Sequence, residues 1–240
     1  MPSKLEIRSK LWPPIQIEDP VLLNNFWHLM QEIGKLTPRS ARLDKTDYRP
    51  MTLVASWPSG SKKEFKLVNR DSLLYGSYYH HAFLNRRIRD LLAKAMYNPA
   101  NLARAVLTSE IEVVLLDLPG VKRRLNEEEK NLFALGLIDT FRVNYREATQ
   151  PCDPPFPLYA LDLKGKGWQA RMYFAGEHYI NMDEEWYGHT FAHDGSLLRM
   201  VQEWLPVPAA KPGELAYLYR AEELKIVETD TVSDLTYWKN

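Results

Sequence analysis

The chain has 240 residues, of which 45% are hydrophobic and 26% are charged, and these fractions are ordinary for a folded globular protein. Lysine plus arginine and aspartate plus glutamate each number 31, so the formal net charge is zero. Proteins that bind DNA or RNA directly usually carry excess positive charge, because phosphate neutralisation supplies most of their non-specific affinity. The charge balance therefore argues against direct nucleic-acid binding.

The cysteine count and the hydropathy pattern indicate the cellular compartment of the protein. A single cysteine cannot form an intramolecular disulfide or a cysteine-based zinc site. The first residues alternate charged and apolar side chains and contain no apolar segment of the secretory type. No stretch reaches the roughly 18 apolar residues that a membrane-spanning helix requires. These observations predict a cytoplasmic protein that does not contact a membrane.

The first third of the chain predicts a strand, a helix and a hairpin. Residues 4–11 alternate polar and apolar side chains with a period of two, which is typical of a half-buried strand. Asp19 and Pro20 are typical of a helix start. The helix that follows has one apolar face, formed by Leu22, Phe26, Leu29, Met30 and Ile33. Residues 51–57 and 64–68 predict two strands joined by a turn.

The middle of the chain predicts three more helices and a buried strand. The first of these helices has an apolar stripe formed by Leu84, Ile88, Leu91, Leu92 and Ala95. Its basic residues, including Arg89, are expected outside that stripe. Residues 98–99 start a short helix, and residues 110–118 are typical of a buried strand. Asn126 caps a helix with an acidic first turn, which is predicted to run to about Phe141.

A proline-rich passage, residues 151–157, is the best candidate for a boundary between two halves. The prediction is a mixed α/β half (1–150) and a more β-rich half (151–240), or one continuous domain. The strand candidates in the second half are residues 158–163, 169–175 and 186–192. Residues 194–195 could close a hairpin or precede a helix, and the sequence leaves this open. The predicted fold class is α+β, mainly antiparallel sheets packed with several amphipathic helices.

Two histidines, His189 and His193, are the most prominent candidates for a metal site, with Asp194 beside them. Imidazoles four residues apart share a metal when they lie on one face of a helix. In the strand predicted here they would be about 13 Å apart. We therefore predict no metal ligand, no catalytic residue and no cofactor.

A restriction-type nuclease would need clustered acids and a lysine around magnesium. Asp162-Leu163-Lys164 and Glu64-Phe65-Lys66 have the acid-x-lysine spacing, but the sequence identifies no partner acid for either. No nucleophile elbow and no phosphate-binding loop motif occurs. A metal-dependent hydrolase or nuclease with a site assembled from distant residues stays an alternative.

Acidic residues beside large aromatic residues predict a protein-binding surface. The predicted partner-binding residues are Asp183, Glu184, Glu185 and Trp186. Such a segment suits a basic protein face, because charge steers the encounter and the aromatic side chain supplies buried area. A second acidic run, residues 127–129, is explained by the start of a helix.

The chain resembles the immunity protein 52 family of bacterial polymorphic toxin systems. The segments that carry the resemblance are Leu5–Arg8 followed by Trp12-Pro13, Phe26–Ile33 closing at Thr37-Pro38, Asn69–Asp71 and Val113–Pro119. The resemblance implies a cytoplasmic antidote that binds a cognate toxin, often a DNase delivered by a type VI secretion system.

Under that resemblance the chain would neutralise its toxin by occluding the active site, with acidic residues on the surface that would otherwise take DNA phosphates. No catalysis by the chain is required. A structural or adaptor subunit of a defence assembly is the other non-catalytic alternative. The sequence does not identify the toxin or the oligomeric state.

Overall fold

In a computed structural model of the protein, the described residues are 1–38, 51–68, 72–116, 118, 120–143, 159–175, 177–182 and 189–207. Within these ranges the chain forms five helices and two large antiparallel sheets, which confirms the predicted α+β class. The helices are α1 (Pro20–Gly34), α2 (Ala82–Met96), α3 (Pro99–Leu107), α4 (Glu127–Ile138) and α5 (Ser196–Trp204).

The first sheet has six strands in the order β2-β1-β3-β4-β5-β6. They are β1 (Lys4–Arg8), β2 (Ile15–Ile17), β3 (Met51–Ser56), β4 (Lys62–Leu67), β5 (Ser72–Tyr75) and β6 (Ser77–His80). The predicted first strand and the predicted hairpin are confirmed as β1 and as the β3–β4 pair. Helix α1 begins as predicted, because the Asp19 side chain accepts from the backbone N–H groups of Val21 and Leu22.

The second sheet has seven strands in the order β8-β7-β10-β11-β12-β13-β9. They are β7 (Glu110–Leu115), β8 (Lys122–Arg124), β9 (Phe141–Val143), β10 (Tyr159–Gly165), β11 (Trp168–Ala175), β12 (Tyr179–Met182) and β13 (His189–Ala192). Strands from both sides of residue 150 share this sheet: β7 pairs with β10, and β9 pairs with β13.

Before α2, strands β5 and β6 pair around Gly76, and His81 caps the helix. Two local sequence interpretations are settled or corrected by the structure. The acidic helix ends at Ile138 rather than near Phe141, which begins β9. Gly195 lies in the left-handed region and precedes α5, so the open choice after β13 is resolved as a helix.

The apolar face of α2 differs from its predicted stripe. Arg89 was expected outside the stripe, but it is only 1% exposed. The buried positions of α2 are Asn85, Ile88, Arg89, Leu92, Ala93 and Met96. Their spacing is still helical, so the buried face is rotated by about one residue from the predicted one and includes two polar side chains.

Buried aromatic side chains connect the loop after β1 to the second sheet. Trp12 is fully buried, and its ring centroid lies 4.9 Å from that of Tyr97 and 6.3 Å from that of Trp168. Tyr97 in turn stacks on His189 of β13 at 4.5 Å. Aromatic pairs at these separations add stability beyond the area that they bury. Much of the aromatic content in the described part of the chain therefore serves the core.

Two glycine substitutions should change stability in opposite directions. Gly165 lies opposite Trp168 in the β10–β11 pair, and an added Cβ would overlap the Trp168 ring. We expect Gly165→Ala to destabilise the protein by about 1–3 kcal/mol, because the buried ring must move. Gly34 ends α1 with open space around it, so Gly34→Ala should stabilise the protein by about 0.5–1 kcal/mol.

Urea denaturation of the two glycine variants and the parent chain would measure both changes. Equal midpoints for Gly165→Ala and the parent would contradict the close approach of Trp168.

Candidate protein-binding surface

The predicted partner-binding residues Asp183, Glu184, Glu185 and Trp186 lie outside the described residues. In the sequence they fall between β12 and β13. Their assignment stays a prediction.

The two candidate metal-binding histidines both belong to the packed interior. His189 is fully buried in β13, and its Nδ1 accepts from Nη2 of Arg142 at 2.5 Å. His193 follows the strand and is 9% exposed. Among the described residues no group of three or more His, Cys, Asp or Glu side chains could hold a metal ion. This arrangement assigns both histidines a packing role in the described structure.

His193 makes two contacts that secure the start of α5. Its Nδ1 accepts from the backbone N–H of Gly195 at 3.0 Å, and its own backbone N–H donates to the carbonyl oxygen of His178 at 2.8 Å. Burial, and to a smaller extent the nearby His178, lower the pKa of His193 to about 4. An Nδ1 that accepts a hydrogen bond cannot also carry a proton, so this geometry favours neutral imidazole.

The structure provides the neighbouring acid that sequence analysis could not identify for Asp162-Leu163-Lys164. In the β7–β10 pair, Asp162 lies opposite Glu112 and Lys164 lies opposite Glu110. These side chains line a groove of about 540 Å³ on the open face of the second sheet. The geometry thus brings three carboxylates and a lysine to one place, as a magnesium-dependent nuclease would require.

Each carboxylate of this groove is, however, already paired with a base. Asp162 accepts two hydrogen bonds from the Arg171 guanidinium, which raises the pKa of that guanidinium. Glu112 pairs with Lys122 at 3.1 Å, and Glu110 pairs with Arg124 at 2.9 Å. A metal ion would have to displace these bases. The groove therefore has the character of an ion-paired sheet surface and not of a metal centre.

Helix α4 is the most unusual surface element, because it is apolar on two opposite sides. Phe133, Ala134 and Leu137 face the core and are buried. Leu135 and Ile138 face outward and are 62% and 56% exposed. Helices on a protein surface normally carry one apolar stripe, with polar residues opposite. Here the outward side is apolar as well.

Most of the acidic residues in the first turn of α4 stabilise the helix itself. Asn126 and Glu129 form a reciprocal capping box, and Glu129 also accepts from Arg123 at 2.5 Å. Glu127 pairs with Lys130 at 2.8 Å. This confirms the helix-start interpretation of residues 127–129. Glu128 differs, because it is exposed and has no ion pair with any residue that the structure describes.

The outward residues of α4 form one continuous stripe. At about 100° per residue, Glu128, Leu132, Leu135 and Asp139 fall within an arc of about 60°, with Ile138 on its flank. We call these five residues the α4 outer face. Leucines three residues apart on a helix are neighbours, so the apolar part of this face is contiguous. Phe141 follows it in β9 and is 62% exposed.

Other exposed large apolar residues in the described part of the chain are dispersed. Val21, Phe83 and Leu107 lie on α1, α2 and α3 respectively. Single exposed apolar residues are normal, whereas a contiguous group marks a contact site. The α4 outer face is therefore the candidate protein-binding surface. The sequence alone does not reveal this surface, since only the fold shows which apolar side of α4 is covered.

This fold and surface define an α+β protein with an exposed apolar helix face bordered by acids. By sequence, residues 1–148 match the family described as Protein of unknown function (DUF3919), and the chain belongs to that family. No curated protein and no solved structure matches the chain. Both α4 and β9 lie within the matched residues, whereas β10–β13 and α5 lie beyond them.

In the part of the chain that is described, no helix combines the length and the hydropathy needed to cross a membrane.

Proposed function

We propose that the chain is a non-catalytic immunity protein that acts in the cytoplasm by binding a cognate secreted toxin. The observation that supports this proposal best is the α4 outer face, a contiguous apolar stripe on a helix whose opposite side fills the core. A partner that covers Leu135 removes its exposed surface from water, which contributes about 1–2 kcal/mol. Neutralisation follows when the bound chain occludes the active site of the toxin.

The proposed partner, a nuclease effector, comes from the resemblance to the immunity protein 52 family. The surface chemistry is compatible with this partner, because nucleases present basic surfaces to DNA phosphates. The rival hydrolase proposal is supported less well, since the carboxylates of the open-face groove are all ion-paired. An adaptor role would use the same type of surface within a larger assembly.

Affinity purification of the tagged chain from its native host, followed by mass spectrometry, is the first step of the test. The second step measures calorimetrically the affinity of the recovered partner for three chains: the parent, Leu135→Arg and Val21→Arg. Leu135→Arg places a charge in the centre of the proposed contact, and we expect at least about a 100-fold loss of affinity. Val21 is 66% exposed on α1, so Val21→Arg is the matched control and should retain binding within about threefold.

The proposed function also predicts what kind of protein the partner is. It should be a single protein with a toxic activity that the parent chain inhibits, and Leu135→Arg should abolish this inhibition. A folded Leu135→Arg variant with parental affinity would refute the α4 outer face as the contact. A stable particle of several different subunits would instead support the adaptor role.

A further inference from the structure

We infer that the partner meets the α4 outer face with an amphipathic helix that carries basic residues at both ends of an apolar ridge. This inference rests on the proposed function, because it specifies what covers the surface that the proposal identifies. It is supported by the charges at the ends of the α4 outer face, by their separation, and by the composition of the competing occupants.

The two ends of the apolar stripe are negatively charged. Glu128 precedes Leu132, and Asp139 follows Ile138; both acids are exposed. Neither acid forms an ion pair with a described residue, whereas the adjacent Glu127 and Glu129 are both engaged. The exposed acids are therefore available to an external cation.

Asp139 occupies a position where its charge is unfavourable for the isolated helix. It is the residue that ends α4, and the last turn of α4 contains no basic residue. The partial negative charge of a helix C-terminus repels a carboxylate. A basic group from a partner would relieve this repulsion, which adds a favourable contribution specific to the complex.

Among the described residues, the basic residues that follow the two acids most closely in the sequence are already engaged. Lys130 is buried against the helix and pairs with Glu127. Arg142 donates to the buried His189. The described surroundings of the α4 outer face therefore leave its two end acids uncompensated, and a complementary partner must supply the positive charge.

The separation of the two acids matches a helical partner. Glu128 and Asp139 are eleven residues apart, which corresponds to about 16 Å along the helix axis. A second helix packed along α4 would place two basic residues at the same spacing, with leucine-type side chains between them. Ridges of side chains on two helices interlock at interaxial distances of about 8–10 Å, which brings the end charges within reach.

A second copy of the chain does not have the required charge. In an antiparallel α4–α4 pair, Glu128 of one copy would lie beside Asp139 of the other. In a parallel pair, each acid would face its own equivalent. Like charges placed together oppose association, so twofold pairing through this face is disfavoured.

The C-terminal residues 208–240 are also a poor match by composition. They contain six acidic and four basic residues, so their net charge has the same sign as the ends of the α4 outer face. A nucleic acid would be repelled for the same reason. A basic protein segment is the occupant that the charges favour.

Two synthetic helical peptides with the same leucine ridge would test this inference. One carries lysines and the other glutamates at two flanking positions eleven residues apart. Each is titrated into the isotope-labelled full chain, and chemical-shift changes give the affinity and the site. We expect the lysine peptide to shift resonances of α4 and to bind at least about tenfold more tightly than the glutamate peptide.

Charge exchange on the protein provides the decisive control. The double variant Glu128→Lys/Asp139→Lys should prefer the glutamate peptide, whereas the matched double variant Glu18→Lys/Glu32→Lys should keep the parental preference. Both control positions are exposed and lie outside α4. Equal affinities for the two peptides, or no shifts in α4 at millimolar peptide, would overturn the inference.

Failure of this inference gives a different result from failure of the proposed function. If the recovered toxin loses affinity for Leu135→Arg while neither peptide binds, the α4 outer face stands and the basic-helix partner is wrong. If the peptides bind as expected but no toxin is recovered, the inference of a basic helical partner is retained and the proposed immunity function is rejected.

Discussion

Replacing Phe133 with alanine should lower the free energy of unfolding by about 3–5 kcal/mol. Phe133 lies on the inner side of α4 and is fully buried. Its ring centroid is 6.3 Å from those of Phe174 in β11 and Trp204 in α5. The substitution therefore removes a side chain that joins α4 to both the second sheet and the last described helix. Urea denaturation measures the loss.

Leu135→Ala is the matched control on the same helix. Because Leu135 faces outward, we expect its replacement to change the unfolding free energy by less than about 0.5 kcal/mol. The same replacement should weaken partner binding, since it removes apolar area from the α4 outer face. A large loss of stability for Leu135→Ala would show that this side of α4 is covered within the chain and would contradict the proposed surface.

Acid should destabilise the protein through His193. The folded state holds the pKa of His193 at about 4, below the ordinary value of about 6.5 that the unfolded chain has. Between these two values the unfolded state binds more protons, so stability falls as the pH is lowered from about 6.5 to about 4. We expect this residue to account for a loss of about 3 kcal/mol, and well below pH 4 its contribution should be constant.

His193→Asn isolates this contribution. An asparagine carbonyl can accept the hydrogen bond from Gly195 in place of Nδ1, but it does not titrate. Unfolding free energies of the parent and the variant, measured from pH 7 to pH 4, should diverge as the pH falls. Parallel curves would mean that His193 titrates alike in the folded and unfolded chains.

Long amphipathic and capped elements were predicted well, because their signals are local. Asp19 and Pro20 start α1, and Asn126 starts α4, as expected from capping chemistry. Strands β2, β5, β6, β8, β9 and β12 were missed; they have only three or four residues each. Such strands are defined by their neighbours in the sheet, and their own sequence is too short to show a period.

The buried polar residues and the binding surface required tertiary information. The sequence predicts that Arg89 is exposed, yet α2 packs with the face that contains Arg89 turned toward the interior. Asp162 lies opposite Glu112 only because β10 pairs with β7, and the two residues are 50 positions apart in the sequence. For α4, the sequence shows apolar residues on all sides, and only the packing of α3 and α5 against it reveals which of them stay uncovered.

The pairing of β9 with β13 has a consequence for synthesis of the chain. Arg142 and its contact His189 are 47 residues apart, so at about 5–20 residues per second β13 leaves the ribosome several seconds after α4. During that interval α4 emerges with apolar side chains on both faces and without β11 and α5, which later contact its buried Phe133. The nascent chain is then most exposed to aggregation, and chaperones or a partner already present would improve its yield.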